Sequence, residues 1–405
     1  MQALDVLGFD PASESFLTWP YPDYERLRNQ GPVHQTPAGL WVVTGHAECT
    51  MILRDLRFGH NTRVASGLSG GEESRMEGSS RGLSFIFMDP PDHTRLRAVV
   101  AKAFTPRAVG ELRASVQATA DCLIGQMLSG PDPDIMADVA RPLPTITMCN
   151  LLGIPDADQD RIKRWSGVIG RSLDPELLLP AEVVTSFRTA IGEVAEYVRT
   201  LVRARASERR PDLISHMLAA EAGDRLGRQE IVELCVLLLV AGSETTVNLI
   251  GNGMLALLRH PGQISLIRED PKLIKNAVFE LLRYDSPSQM TFRVAMEDAE
   301  VAGHAIARGS PVMLVLAAAN RDPRVFDHPD VLDVTRQSSM QQLSFSQGLH
   351  FCLGAALAQV EAEIALASLL RHDLRMVVDH PPRKPNLVLR GLAELRVAEP
   401  SVAVS

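Results

Sequence analysis

One cysteine sits in an unusual frame. Phe345-Ser346-Gln347-Gly348-Leu349-His350-Phe351-Cys352-Leu353-Gly354 is a glycine-rich loop that runs into Leu353 to Arg371, a proline-free stretch of helical composition. Cys352 is therefore expected at the N-terminal edge of a helix, where free N–H groups and the helix dipole favour an anion and hence a thiolate. Gly348 and Gly354 let the backbone turn tightly and approach something flat. With no second cysteine nearby, such a thiolate suits one axial bond to a haem iron. A second group, Ala241-Gly242-Ser243-Glu244-Thr245-Thr246, puts an acid beside a hydroxyl, a pair able to relay protons. A third is His93 with Arg97, four apart on one helix face, which suits two carboxylates such as haem propionates. A charged solvent face gives the same spacing. A fourth, Glu280 and Arg283, has the i, i+3 spacing of an ion pair on a helix.

These residues need elements to hold them. Arg228 to Arg259 reads as one helix of about 45 Å. Its run Leu234 to Val240 is apolar nearly all round, but Glu244, Asn248 and Asn252 fall mid-run, which favours a buried core helix over a membrane span. Gly242 and two adjacent threonines are poor helix formers; small residues there admit a flat group, and a threonine hydroxyl can bond back to a helix carbonyl. Asp89-Pro90-Pro91-Asp92 starts the helix that carries His93 and Arg97, with Arg95 and Lys102 on the opposite face.

Residues 109–210 read as mostly helical, with breaks at Gly130-Pro131, Gly153-Ile154-Pro155 and Asp174-Pro175. Arg199, Arg203, Arg205, Arg209 and Arg210 read as a solvated helix end. Tyr21 to Gln30 is a short helix, Val33 to Gly45 a hairpin, and Thr44 a cap for the helix His46 to Asp55. Residues 59–84, rich in Gly and Ser, read as a mobile loop. The apolar end of that stretch places Phe85 and Phe87 either in plain core or in a cavity wall. Met290 to Ala295 alternates as a strand, and Asn386 to Val402 suggests a terminal hairpin. No repeat or linker appears. The expectation is a mainly α fold with a smaller β-rich region, one large domain over residues 1–405.

Composition narrows the function. Of 405 residues, 45% are hydrophobic and 22% charged, which is a globular protein with ample core. A formal net charge of −8 argues against nucleic acid. Five scattered cysteines with no C-x-x-C pair suggest neither a zinc site nor a disulfide framework, and fit a reducing cytosol. The first twenty residues carry Asp5, Asp10 and Glu14 and no long apolar run, so neither a signal peptide nor a membrane anchor is expected.

The loop around Cys352 resembles the haem-binding loop of the cytochrome P450 family, and three further motifs in order extend the resemblance from about Tyr21 to Val402. The resemblance implies haem b ligated by Cys352, with Ala241, Phe345, Gly348, His350 and Gly354 around it and His93, Arg97 and Arg293 at the propionates. Ser346 stands where many members have Gly; a tight turn with ordinary φ is expected there. Glu244 and Thr245 match the oxygen-activating pair. Glu280, Arg283 and Arg336 match a buried structural triad. Phe85, Phe87, Leu237, Val240, Ala241, Gln289, Met290 and Leu392 are the implied substrate contacts, with Leu392 in a turn that reaches the cavity. The implied activity is a soluble, bacterial-type, cytoplasmic and monomeric monooxygenase. It would use O₂ to hydroxylate or epoxidise a small to medium hydrophobic substrate, such as a polyketide or macrolide, terpenoid or steroid of secondary metabolism. Electrons would come from NAD(P)H through ferredoxin reductase and ferredoxin, because no flavin or nicotinamide domain fits in this length. Arg95 and Lys102 are then a candidate docking patch for an acidic ferredoxin. Oxidative coupling or ring formation on the same haem stays open. A peroxide-using member lacks the acid–alcohol pair, and a haem sensor or carrier would not need it.

Overall fold

The computed structural model describes residues 3–61, 85–221 and 226–399; most of the glycine-rich stretch 59–84 lies outside them. The N-terminal part carries helices α1 (Ala3–Leu7), α2 (Glu14–Thr18), α3 (Tyr21–Asn29) and α4 (His46–Arg54), with strands β1 (Val33–Gln35), β2 (Trp41–Val43) and β3 (Phe58–Gly59). Helices α5 (Asp92–Val100), α6 (Pro106–Ser129), α7 (Pro142–Leu152), α8 (Gln159–Ile169), α9 (Ala181–Ser207) and α10 (Leu213–Glu221) follow. They lead to α11 (Arg228–Arg259), α12 (Pro261–Glu269) and α13 (Leu273–Tyr284). Strands β4 (Thr291–Ala295), β5 (Ala299–Val301), β6 (His304–Ile306) and β7 (Pro311–Leu314), helices α14 (Leu316–Ala319) and α15 (Ala355–Leu369), and strands β8 (Arg375–Met376) and β9 (Val397–Ala398) complete the order.

Everything packs around α11. Its first turn is tied by the Glu230 carboxylate accepting from the Gly227 N–H at 2.7 Å, and Pro261 stops it. α11 is long and apolar enough to cross a membrane, yet 67% of its most apolar window is buried inside the protein. Its N-terminal half (Ile231, Leu234, Leu238) packs with residues of α7, α9 and α10. Its C-terminal half (Ile250, Met254, Leu257) packs with residues of α13 and α15. Such all-round burial is the main stabiliser, at about 25 cal/mol per Å² of apolar surface.

A five-stranded sheet of order β1-β2-β7-β4-β3 flanks the helices. Only β2 with β7 is parallel, and β4 pairs β7 with Arg293 opposite Val312. The sheet fixes Arg293, and α11 and α15 fix the residues around Thr245 and Cys352.

Four expectations need correction. Thr44 does not cap α4: its hydroxyl is buried without a protein partner, Gly45 is the cap residue, and the Asp322 carboxylate accepts from the His46 N–H at 2.9 Å instead. Over its described part, 386–399, the tail does not fold into one hairpin. β9 pairs with β8, while Lys384 N–H donates to Gly391 O at 3.0 Å and Ala393 N–H to Pro382 O at 2.8 Å, so the hairpin spans 382–393. Arg205 is not solvated; it is buried, paired with Asp212, and donates to Gly153 O at 2.6 Å. Arg95 donates to Glu230 at 2.6 Å and to Asp92 at 3.0 Å, so its charge is met locally and only Lys102 of the expected patch lacks a recorded ion pair.

Candidate active site

The loop before α15 is shaped by two left-handed residues. Gly348 has φ +66°, and a side chain there would run into the Leu53 carbonyl and the Arg54 backbone of α4. Ser346 has φ +60°, contrary to the ordinary φ expected; its buried hydroxyl finds no protein partner, and an L residue in this region costs on the order of 1–2 kcal/mol. Gly354 has φ −86° and no protein atom where a side chain would start, so nothing in the protein itself requires glycine there. Cys352 is pinned by its N–H donating to Phe345 O at 2.8 Å.

α15 begins at Ala355, two residues later than the composition suggests, and Cys352 precedes it on the loop. Burial pushes the thiol up, opposed by the Gly354 N–H and the Arg97 guanidinium. The helix edge alone therefore does not favour a thiolate; a bound cation of high charge, such as haem iron, would favour it. The residue nevertheless keeps accessible surface, although protein atoms surround its sulfur.

Beside the cysteine lies a cluster of cationic and imidazole side chains for which Asp89 is the one acid in electrostatic range among the described residues. Arg97 donates to Phe351 O at 2.7 Å and raises no ion pair. Arg293 is 4% exposed and donates only to Thr291 Oγ1 and Phe292 O, at 3.0 and 2.8 Å; burial pulls its guanidinium down to about 10, with Asp89 the only acid opposing. His93 is fully buried and both ring nitrogens lack protein partners. Its ring lies 4.3 Å from His350, which lies 4.6 Å from His60. Burial, with Arg293 next, lowers His60 and lowers His350 to about 3; burial and then Arg97 lower His93. All three are thus neutral donors at neutral pH. The sequence reading missed His60 because nothing in its neighbourhood marks it.

α11 forms the opposite wall. Thr245 Oγ1 donates to Ala241 O at 2.9 Å. Leu237, Val240, Ala241 and Thr245 keep accessible surface on a helix whose other faces are buried, which marks one open stripe. Gly242 serves a different purpose from the one expected: a side chain there would collide with Met148 of α7. Glu244 is 4% exposed and pairs with Lys384 Nζ at 2.8 Å, a lysine with no signal in the sequence.

Some implied substrate contacts are elsewhere. Gln289 accepts from Tyr24 Oη at 2.9 Å and donates to Ser286 O, Met290 packs among the aromatic residues of α2 and α3, and Leu392 is fully buried in core. Tertiary packing claims all three. Phe85 is also buried in core, against His93 at 5.6 Å, while Phe87 is half-buried near His60.

Away from this space Glu280 and Arg283 of α13 are fully enclosed, and Arg336, from the segment after β7, joins them. Arg283 and Glu280 are 0% exposed and joined by bonds of 2.7 and 2.8 Å. Arg336 Nε reaches Glu280 Oε1 at 3.1 Å, and the Asp333 N–H donates to the same oxygen at 3.0 Å. Three backbone carbonyls take the remaining Arg283 donors. The one carboxylate serves both guanidiniums, and backbone carbonyls take their remaining donors.

The donor set fits haem: one thiol on a fixed loop, an open stripe on α11, and buried cationic and imidazole donors with no carboxylate in contact among the described residues, which suit propionates. A family model for Cytochrome P450 matches residues 70–390. The chain is 36% identical over 400 residues to the biotin biosynthesis cytochrome P450 of Bacillus subtilis, covering 97% of this chain and 99% of that one. It is 39% identical over 398 residues to the vitamin D(3) 25-hydroxylase of Pseudonocardia autotrophica, covering 96% of each. The crystal structure of P450BioI in complex with an acyl carrier protein ligated to hexadec-9Z-enoic acid superposes with a TM-score of 0.87, at 36% identity over 96% of this chain and all of that one. The geometry of the site and these likenesses converge: the chain belongs to the cytochrome P450 family, the haem-thiolate monooxygenases.

Proposed function

We propose that Cys352 is the axial haem ligand and that His93, Arg97, Arg293 and His350 hold the propionates. The observation that supports this best is the buried Arg293, which has no carboxylate in contact on a surface shared with Arg97, His93 and His350. An unpaired buried cation is costly, and an anionic cofactor group removes that cost. Haem bound there supplies activation of O₂ and transfer of one oxygen atom to substrate.

The chain's own residues do the rest. Leu237, Val240 and Ala241 line the space with apolar surface and exclude water from it. Thr245, held by its bond to Ala241 O, presents a hydroxyl oxygen that accepts and passes a proton, and Glu244 replenishes it. The reaction is hydroxylation or epoxidation of a small to medium hydrophobic compound; a secondary metabolite fits the apolar stripe. Oxidative coupling or ring formation uses the same wall and is the second reading. Electrons arrive from separate proteins, a ferredoxin and its reductase, to a monomeric cytoplasmic enzyme. Thr245→Ala is expected to keep haem and fold but to lose product per NADPH consumed, by about tenfold or more. Unchanged coupling would remove Thr245 from the proton route.

A further inference from the structure

The Glu244 carboxylate must be resupplied from water, yet it is buried and held by a lysine. The residues one and two turns further along α11 show how. Asn248 and Asn252 stand at i+4 and i+8 from Glu244, so the three share one face. That face meets the 382–393 hairpin. Lys384 comes from one arm and pairs with Glu244 at 2.8 Å. Gly391 comes from the other arm, at a point where any side chain would collide with the Asn248 amide. Asn252 donates to Arg390 O at 3.0 Å and accepts from Arg383 Nη1 at 3.1 Å.

Asn248 is the odd member. It is 0% exposed, and neither its amide nitrogen nor its amide oxygen bonds to any protein group. Burying an amide that nothing meets is costly, and a water with polar neighbours is what ordinarily meets it. Beyond it, Asn252, Asp285 and Arg383 line a solvent-open cavity of about 370 Å³ at the C-terminal end of α11, rimmed by Trp19, Tyr284 and Arg259. Asn252 at the cavity, Asn248 and Glu244 thus stand one turn apart from each other along one face of α11.

We propose that Asn248 holds water in a proton path from the Asn252–Asp285–Arg383 cavity to Glu244, and that Lys384 is the positioning residue that keeps Glu244 turned towards that path. The proposal rests on Glu244 being the proton donor to Thr245. The step is balanced. Bulk water gives one proton at the cavity, each water in the path accepts one and releases one, and the Glu244 carboxylate ends protonated. Nothing is oxidised or reduced. Lys384 keeps its proton and loses its ion pair while Glu244 is neutral, so the pair re-forms when Glu244 passes the proton to Thr245.

The test uses the holoenzyme with purified redox partners and four variants: Glu244→Gln, Asn248→Leu, Asn248→Ser and Lys384→Met. Asn248→Leu removes both polar atoms while keeping the branched heavy-atom skeleton, and is expected to lower product per NADPH by about tenfold and to raise the solvent deuterium isotope effect. Asn248→Ser, which can still hold water, recovers most of both. Lys384→Met lowers coupling with the melting temperature little changed. Independently of turnover, an atomic-resolution crystal structure of the resting holoenzyme is expected to show ordered water bonded to Asn248, absent in Asn248→Leu. If Asn248→Leu does not fold, Lys384→Met and the water at Asn248 in the parent decide. If Glu244→Gln uncouples the enzyme while Asn248→Leu and Lys384→Met stay coupled, or if no water contacts Asn248, the path is wrong and the role of Glu244 stands. Full coupling in Glu244→Gln overturns that role and the path with it.

Discussion

Two buried charge clusters in this molecule are built oppositely. On α13, Glu280 is met by Arg283, Arg336 and the Asp333 N–H, and Arg283 spends its remaining donors on three carbonyls. Beside Cys352, by contrast, Arg293 and His93 are as deeply buried but Arg293 has only a hydroxyl and a carbonyl, and His93 has no protein partner. A closed cluster needs nothing further and holds the fold. An open one is stable only with an anion from outside. The difference separates a structural site from a ligand site on physical grounds, without reference to any motif.

The largest effect is expected in the closed cluster. Glu280→Ala leaves the Arg283 charge buried and unmet, at a cost of about 3–5 kcal/mol. Thermal melting should show a large loss of stability, with poor folding and haem loss as consequences. A soluble, haem-replete variant with the parent's melting temperature would show that closure of the cluster carries no weight.

A second buried glutamate gives a different contrast. Glu361 on α15 is 1% exposed, and burial, opposed by the hydroxyls of Thr147 and Thr246, pushes its carboxyl up to about 8 from an ordinary 4.5. Between these values the folded state keeps a proton that the unfolded chain has released. Stability from this group is therefore full below about pH 4.5 and falls as pH rises towards 8. From pH 5 to pH 7 the loss is about 2–3 kcal/mol at 1.36 kcal/mol per unit. Glu361→Gln should flatten that part of the stability–pH curve. An unaltered slope would mean that Glu361 is ionised in the fold.

The open cluster should respond to loss of a cation by losing ligand, not fold. Arg293→Ala is expected to weaken haem retention by about 2 kcal/mol, the worth of a charge-assisted bond, while the melting temperature of the haem-free protein is unchanged or higher. Haem transfer to apomyoglobin and calorimetry of the apoprotein measure the two. A variant that loses apoprotein stability and keeps haem would make this cluster structural like the other.

How much of this was legible in the sequence depends on range. α11 runs from Arg228 to Arg259 as read, because a long apolar run with a clear start and a proline stop dominates its own conformation. The Cys352 loop was legible as a motif, and Glu280 with Arg283 as a spacing. The left-handed backbone of Ser346 was not, because nothing in the local sequence marks a serine for that region. That Gln289, Met290 and Leu392 are buried against protein neighbours was not legible, because tertiary contacts, not local pattern, decide which side of a strand or turn is covered. Lys384 and Gly391 reach α11 from more than 130 residues away, so no local window contains the pair Glu244–Lys384. His60 lies outside any periodic element and joins the site only through the rings of His350 and Phe87.

The central claim is that the open cluster and Cys352 together form the haem site, with Cys352 bound to iron. The most direct measurement is the absorption spectrum of the ferrous–carbonyl complex of Cys352→His. Imidazole is neutral and donates less charge than a thiolate, so the strongly red-shifted Soret band of the parent should disappear even where haem is retained. A Cys352→His protein that keeps the parent's red-shifted band would contradict the assignment and place the thiolate on another cysteine.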